Sequence, residues 1–464
     1  MPADLHYLPL HEVAQRLKAR RLSSVELTRS LLDRIDRIDP RLRSYATVTA
    51  DRALADAARL DAESAAGTSR GPLHGVPIAI KDLCNTEGVP TAAGMAIHRG
   101  NLPSRDATVV ARLKQAGAVI LGKLQMTEGA YGAHHPGIPA PLNPWNAAYW
   151  TGSSSSGSGA ATAAGLCFAS LGSDTGGSIR FPSTMNGLSG LKPTWGRVSR
   201  AGVFPLAESL DHVGPMARSA LDAAIMLGVI AGPDPDDPTS VGLSVPDYAA
   251  SIDQGVRGRR IGVPSNLHGL DEDAERALYG AVDVMKQAGA EIVDVKLPDG
   301  FDRGARDWVP LCGVEAALAH EASYPSRASE YGPVLAGLLD QGRRLSAVEL
   351  ARLQVRRAAL TGELNRLLAS VDLLLMPVMA RAVWSTEALL AAGREPEAVA
   401  GRLRYTAPFD LSGHPTLTLP GGMTADGVPV GFQIVARAFD EGAILAAGHA
   451  YQQATEWHSR RPPL

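Results

Sequence analysis

The sequence predicts an α/β fold built around a largely buried β-sheet. Short apolar runs typical of buried strands alternate with amphipathic helical segments along most of the chain. The chain has 464 residues, of which 45% are hydrophobic and 20% are charged, so it can bury a large core. Extensive disorder is therefore not expected.

Helices are predicted from apolar residues that recur at helical spacing. One of them opens with Ser23 and Glu26, which stand at the spacing of a capping box. The predicted helices cover residues 8–20, 24–38, 51–66, 107–117 and 345–369.

Strands are predicted where short apolar runs lie between turn-forming residues. These runs are 76–80, 118–121, 260–263, 292–295, 372–376, 416–419 and 430–435. Residues 231–246 interrupt the series with a segment rich in proline and aspartate, which cannot continue the preceding helix. We interpret it as a surface connection within one domain, because strand and helix signals resume after it.

The bulk composition argues against several classes of protein. The net charge of −3 and the pI near 6.5 give no sign of nucleic-acid binding, and no Lys/Arg cluster beside an amphipathic anchor suggests a membrane surface. No apolar run reaches the ~18 residues of a membrane span, and no signal segment is expected near Asp4 and His6. The three distant cysteines, Cys84, Cys167 and Cys312, predict neither disulfides nor a zinc site. We therefore expect a cytoplasmic protein.

Two segments rich in glycine and serine are the most unusual part of the sequence. Residues 151–165 read T-G-S-S-S-S-G-S-G-A-A-T-A-A-G, and residues 172–182 read G-S-D-T-G-G-S-I-R-F-P. Apolar core sequence adjoins both segments, which disfavours a flexible linker. Glycines before a serine let consecutive N–H groups converge on one point, so Thr175, Gly176, Gly177 and Ser178 form a candidate oxyanion hole around a nucleophilic Ser178.

A serine nucleophile also needs a base. The chain has no G-x-S-x-G motif, and none of its histidines stands beside an acid in a recognisable motif. Lys81 directly follows the apolar run 76–80, and a lysine can act as a base if burial lowers its pKa. Periodicity alone fits a lysine that reaches solvent equally well.

The combined motifs closely resemble the amidase signature family. They include G-P-L-H-G-V-P-I-A-I-K-D (71–82), the serine-rich run, L-G-S-D-T-G-G-S-I-R-F-P (171–182) and G-V-P-V-G-F-Q-I-V-A (427–436). The resemblance extends from about residue 8 to residue 457. It implies one large amidase domain over 1–464, with a central mixed sheet covered by helices on both faces. It also implies a catalytic core over 71–200.

The resemblance further implies the catalytic residues. The family's lysine falls on Lys81, its nucleophilic serine on Ser178, and its bridging serine, which follows a cis peptide bond, on Ser154. Ser153 and Ser156 stand where the family commonly has glycine, so the choice of Ser154 depends on the register, and Ser155 is the alternative. The implied mechanism is a proton relay that forms an acyl-enzyme, without a metal or an organic cofactor.

The substrate is expected to be a small amide with a neutral, apolar or aromatic acyl group, because residues 129–173 contain no charged side chain. The residues expected to contact the substrate are Met126, Tyr131, Trp150 and Ser153. Any countercharge would have to come from the C-terminal half, where Arg381, Arg404 and Asp410 are candidates. Asp174 and Arg180 are expected to pair and hold the oxyanion loop, and Cys84 is expected to be a small buried residue.

Two other functions stay open. Ser189 and Lys192 match the S-x-x-K pattern of penicillin-binding enzymes, although the accompanying motifs are missing. The glutaminase subunit of a tRNA-dependent amidotransferase belongs to the same family as the amidases. We favour an amidase that acts without a partner subunit, and homodimer formation stays open.

Overall fold

The computed structural model describes residues 5–464. Within this range eleven strands form one mixed β-sheet. Residues 1–4, which belong to the stretch considered for a signal segment, lie outside the described residues. Strands β1 to β11 span Tyr45–Val48, Pro77–Lys81, Val119–Leu124, Ala169–Asp174, Ser189–Lys192, His212–Ala217, Arg260–Pro264, Glu291–Val295, Leu373–Pro377, Thr416–Met423 and Pro429–Val435.

Fifteen α-helices flank this sheet within the same residues. Helices α1 to α15 span Leu10–Lys18, Ser24–Leu42, Ala50–Ala65, Thr108–Gln115, Ser156–Ala163, Arg180–Asn186, Ala220–Ile230, Glu272–Gln287, Phe301–Ala319, Pro333–Arg344, Ala347–Ala369, Thr386–Ala391, Pro396–Leu403, Ala407–Leu411 and Glu441–Gln453. None of these described helices combines the length and the hydropathy needed to cross a bilayer.

The strand order is β1-β3-β2-β4-β6-β5-β10-β11-β9-β7-β8. Strand β2 runs parallel to both of its neighbours, β3 and β4, and β7 runs parallel to β8 and β9, whereas the remaining pairs are antiparallel. The predicted α/β fold with a mixed sheet flanked by helices is confirmed.

Most of the predicted elements form close to their expected positions. The capping box of α2 is present, with the Ser23 hydroxyl accepting from the Glu26 N–H and the Glu26 carboxylate accepting from the Ser23 N–H. Strands β1, β4, β5 and β6 were not predicted. β1 is a four-residue edge strand with partly exposed side chains, so its sequence lacks the apolar run of a buried strand.

The segment 231–246 has no helix or strand of its own and lies between α7 and β7. Its prolines are exposed, but two of its carboxylates turn inward. Asp234 accepts hydrogen bonds from Ser199 Oγ at 2.5 Å and Thr108 Oγ1 at 2.6 Å, and Asp237 accepts from the Arg200 N–H at 2.8 Å. These bonds anchor residues 231–246 to the neighbouring segments that contain Thr108, Ser199 and Arg200.

Candidate active site

Lys81 is the last residue of β2, and its side chain is completely buried. Its Nζ donates hydrogen bonds to three hydroxyls, Ser154 Oγ at 2.7 Å, Ser155 Oγ at 2.8 Å and Ser173 Oγ at 2.8 Å. Burial lowers the pKa of Lys81 to about 7, against the weaker opposing effect of nearby acidic groups. The structure thus selects the buried lysine over the solvent-reaching alternative, and near neutral pH much of it is uncharged.

The serine-rich run passes directly in front of this lysine and then enters α5. The peptide bond between Ser153 and Ser154 is cis. A Cβ added to Gly157 would lie 2.4 Å from the Ser44 carbonyl oxygen and 2.5 Å from that of Gln125, so only glycine lets the helix start this close to its neighbours.

The four consecutive serines, 153 to 156, have different partners. Ser156 Oγ hydrogen-bonds to His134 Nε2 at 3.1 Å. Ser155 Oγ donates to the Ser173 carbonyl oxygen at 3.2 Å and also accepts from the Ser173 N–H at 3.3 Å. Ser154 Oγ has Lys81 as its one hydrogen-bond partner among residues 5–464. Ser153, which is partly exposed, lines the adjacent cavity.

Asp174 and Arg180 form the expected pair, and both are fully buried. Arg180 Nε and Nη2 lie 3.0 and 2.9 Å from the two carboxylate oxygens of Asp174, and Nη2 lies 2.5 Å from Asp410 Oδ2. Burial alone would raise the pKa of Asp174, but the Arg180 guanidinium outweighs it and holds this pKa below its usual range. Asp174 also accepts from the backbone N–H groups of Gly177 and Ile179 at 2.6 and 3.0 Å, so the ion pair fixes the loop between them.

Hydrogen bonds to its four carbonyl oxygens fix the backbone of residues 175–178. The four carbonyl oxygens accept hydrogen bonds from Trp308 Nε1 (2.6 Å), Thr406 Oγ1 (2.6 Å), the Phe181 N–H (2.7 Å) and the Ser155 N–H (3.3 Å), in chain order. The N–H groups of Thr175, Gly176 and Ser178 have no hydrogen-bond partner in the described part of the chain. The Gly177 N–H, which we expected to be a fourth oxyanion donor, is already bound to Asp174.

Ser178 follows these amides and is partly exposed at the wall of a cavity. Its carbonyl oxygen accepts from the Ser155 N–H, which brings the two serine segments side by side. Ser178 Oγ itself forms no hydrogen bond within residues 5–464, so it is not linked to Ser154 Oγ in this conformation. The structure therefore brings Lys81 and Ser154 into contact and places Ser178 on the neighbouring segment.

The cavity beside Ser178 has a volume of about 520 Å³ and is mostly apolar. Tyr131 stacks on Trp308 with ring centroids 6.4 Å apart, and Trp150 packs against Phe181 at 5.8 Å. Tyr131, Trp150 and Ser153 line this cavity. Met126 does not, because its side chain is fully buried in the main hydrophobic core.

Much of the cavity wall comes from residues that the sequence reasoning missed. Trp308 belongs to α9, and a further group lies on residues 389–403, including Arg394 and Arg402. No local pattern marks these residues, because they reach the site only through the chain fold. The C-terminal candidates lie elsewhere: Arg381 stacks on Trp384, Arg404 lies 3.6 Å from Asp302, and Asp410 pairs with Arg180.

The S-x-x-K pattern does not form a catalytic pair. Ser189 and Lys192 are the ends of strand β5, where side chains three residues apart point to opposite faces of the sheet. Ser189 Oγ accepts from Gln452 Nε2 at 2.9 Å, and Lys192 Nζ donates to the Pro193 carbonyl oxygen at 3.1 Å. Both side chains are fully buried.

This chain is similar in sequence to known proteins over nearly its whole length. The sequence profile of the Amidase family matches residues 26–445. The relative AmiD of Mycobacterium tuberculosis is 51% identical over 458 residues, covering 98% of this chain and 96% of the relative. A glutamyl-tRNA(Gln) amidotransferase subunit from Trichlorobacter lovleyi is 40% identical, covering 99% of this chain and 100% of the relative.

A solved structure agrees with these sequence matches. The peptide amidase of Stenotrophomonas maltophilia superimposes with a TM-score of 0.85 at 31% identity, covering 98% of each chain. Sequence and fold therefore agree over nearly the whole length, and the chain belongs to the Amidase family of amide-hydrolysing enzymes.

Proposed function

We propose that this chain hydrolyses the C–N bond of small amides through an acyl-enzyme on Ser178, with Ser154 and Lys81 as the proton relay. The observation that carries the proposal is the buried Lys81, whose Nζ lies 2.7 Å from Ser154 Oγ and whose pKa burial lowers to about 7. A neutral amine in contact with a hydroxyl is the arrangement that general-base catalysis needs.

The first half of the reaction forms the acyl-enzyme. Ser178 Oγ passes its proton to Ser154, which passes its own proton to Lys81 Nζ, while Ser178 Oγ bonds to the amide carbonyl carbon. The resulting oxyanion is held by the unpartnered N–H groups of Thr175, Gly176 and Ser178. Ser178 Oγ must turn toward Ser154 for this step, and catalytic hydrogen bonds often form only in the substrate complex.

The second half releases both products. The Lys81 ammonium returns a proton through Ser154 to the leaving nitrogen, the C–N bond breaks, and the amine departs. Water then attacks the acyl carbon and gives its proton to the same relay, which restores Ser178 and frees the carboxylic acid. We assign this chemistry to a catalytic core over residues 71–200, which supplies Lys81, Ser154 and Ser178. A reaction with a lysine base requires no metal ion or cofactor.

The part of the acyl group next to the reacting carbon is proposed to be apolar or aromatic and uncharged. Tyr131, Trp150, Phe181 and Trp308 supply flat apolar surfaces around Ser178. The charge-free segment 129–173 contributes the first two of these side chains and Ser153. Esters, hydrazides and carbamates that place the same group at the same site are expected to react as well.

The glutaminase component of an amidotransferase is the second candidate, favoured by the 40% identity to such a protein. Free glutamine carries an α-ammonium group, which a specific site usually meets with a carboxylate. No aspartate or glutamate is among the described residues that line the cavity. This absence supports the free-standing amidase over the glutaminase.

A hydrolysis panel on the purified chain tests the proposal. The panel comprises aliphatic amides, anilides, benzamides, peptide amides, esters, hydrazides, carbamates, glutamine and asparagine, each measured with the wild type and with Ser178→Ala. We expect the highest kcat/KM on an apolar or aromatic amide, and loss of that activity in the variant. A kcat/KM for glutamine above that of the other amides would favour the glutaminase instead.

A further inference from the structure

Two arginines are the charged side chains among the described residues that line the mostly apolar cavity beside Ser178. Arg394 and Arg402 both line it, together with leucine and valine side chains of residues 389–403. The residues described as lining the cavity include no aspartate or glutamate. The cavity therefore contains two positive charges without a negative side chain to balance them.

Neither guanidinium is neutralised elsewhere in the described chain. Arg402 Nη1 donates to the Gly393 carbonyl oxygen at 3.2 Å, and neither arginine forms an ion pair within residues 5–464. Arg180 and Arg404, by contrast, both have carboxylate partners.

The two charges also act on the same part of the cavity. Burial raises the pKa of the Tyr131 phenol, and the guanidiniums of Arg402 and Arg394 both act against that increase, so both lie near this ring. Burial, followed by the charge of Arg394, lowers the pKa of Arg402. Arg394 is exposed and Arg402 is partly buried, so burial and the repulsion between the two charges act mainly on Arg402, and a bound anion would offset this repulsion.

We propose that Arg394 and Arg402 bind a carboxylate on the substrate, at the end away from the scissile amide. The guanidinium fork matches a carboxylate in a bidentate manner, and it does so best where water is partly excluded. This inference rests on the proposed function and narrows its substrate to amides that have an apolar segment between the reacting carbonyl and a terminal carboxylate. The uncharged surroundings of Ser178 then face the apolar segment.

The test compares para-nitroanilides that differ only at the far end of the acyl chain. One series consists of the mono-anilides of succinic, glutaric, adipic and longer dicarboxylic acids. The second series has a terminal methyl group in place of the carboxylate, and the third has a terminal trimethylammonium group. We expect kcat/KM of the best carboxylate substrate to exceed that of its methyl analogue about tenfold or more at low ionic strength, mainly through KM. Added salt should reduce the advantage.

Arginine variants then assign the preference to these two side chains. Arg394→Gln combined with Arg402→Gln should reduce the ratio of carboxylate to methyl kcat/KM about tenfold or more. Arg404→Gln is the matched control, because Arg404 lies two positions from Arg402 but pairs with Asp302 outside the cavity. It should leave the ratio within about twofold of the wild type.

The outcomes separate this inference from the proposed function. Hydrolysis of the methyl series that disappears in Ser178→Ala supports the amidase proposal alone. If the wild type hydrolyses the methyl series but shows no preference for a carboxylate, the arginine inference is wrong and the amidase proposal stands. A preference that persists unchanged in the double variant, or one that favours the trimethylammonium series, likewise overturns the inference.

Discussion

Ser155 Oγ donates a hydrogen bond to the carbonyl oxygen of Ser173 at 3.2 Å and accepts one from Lys81 Nζ at 2.8 Å. Its hydroxyl hydrogen is therefore committed to a backbone acceptor. Ser154 Oγ also accepts from Lys81, but no other described group binds it. Of the two candidates for the bridging role, Ser154 and Ser155, Ser154 is thus the one whose proton is free to move, which favours it as the bridging residue.

Substituting each of these two serines should show which one transfers protons and which one only supports the structure of the site. Ser154→Ala is expected to lower kcat by several orders of magnitude, because relay members act as a unit. Ser155→Ala should instead cost about 1–3 kcal/mol of unfolding free energy, because it leaves buried partners unsatisfied, and should have the smaller effect on kcat. Steady-state kinetics and denaturant unfolding of both variants measure the two effects. A folded Ser155→Ala with the lower kcat would shift the bridging role to Ser155.

Ser178 should be the residue that reacts with a fluorophosphonate. The serine borders the cavity and adjoins three unpartnered N–H groups, which can stabilise the phosphonyl oxygen as they would an oxyanion. Peptide mass mapping should locate the adduct on Ser178. The Ser178→Ala variant should form no adduct, and its kcat should be lower by several orders of magnitude. Ser189, fully buried in β5, is the internal control, and an adduct there would contradict this assignment.

The pH profile should report the protonation of Lys81. Burial lowers its pKa to about 7, so below this pH the ammonium form predominates and cannot accept a proton. As the pH rises through about 7 the neutral amine forms, and kcat/KM should increase and then level off. Lys81→Ala should lose the rising limb along with most of the activity while its circular dichroism remains that of the wild type. Full activity in this variant would rule out the relay.

The Arg180 network should matter far more for stability than an exposed ion pair. Arg180→Leu leaves Asp174 and Asp410 buried without their cation, which is expected to cost about 3–5 kcal/mol of unfolding free energy. Arg356→Leu removes a partly exposed pair with Asp307 and should cost less than about 1 kcal/mol. Denaturant unfolding of both variants measures the difference. Equal losses would show that Asp174 does not depend on Arg180.

Chelation should leave the enzyme active. The proposed base and oxyanion donors are a lysine amine and backbone N–H groups, none of which requires a metal ion. Dialysis against EDTA is expected to leave kcat/KM unchanged, with a zinc hydrolase treated in parallel to show that the chelation works. Activity that falls on dialysis and returns with added zinc would contradict a metal-free mechanism.

The sequence by itself determined the α/β class, the strand that delivers Lys81 and the Thr-Gly-Gly-Ser loop. These are local features, because an apolar run or a pair of glycines constrains only its own few residues. It could not exclude a solvent-exposed Lys81. It also predicted that Met126 would line the cavity and that the Gly177 N–H would be free. In the structure the Met126 side chain is buried in the core, and the Gly177 N–H donates to Asp174.

Only the tertiary structure decided which partners surround those local features. Trp308 and Thr406 reach the carbonyl groups of Thr175 and Gly176 across more than a hundred residues of chain. Arg394 and Arg402 enter the cavity from a similar distance in sequence. Such contacts leave no periodic signal, because they depend on how separate elements pack together. Packing also buries Lys81 among hydroxyls, and the loss of solvent around its amine lowers its pKa.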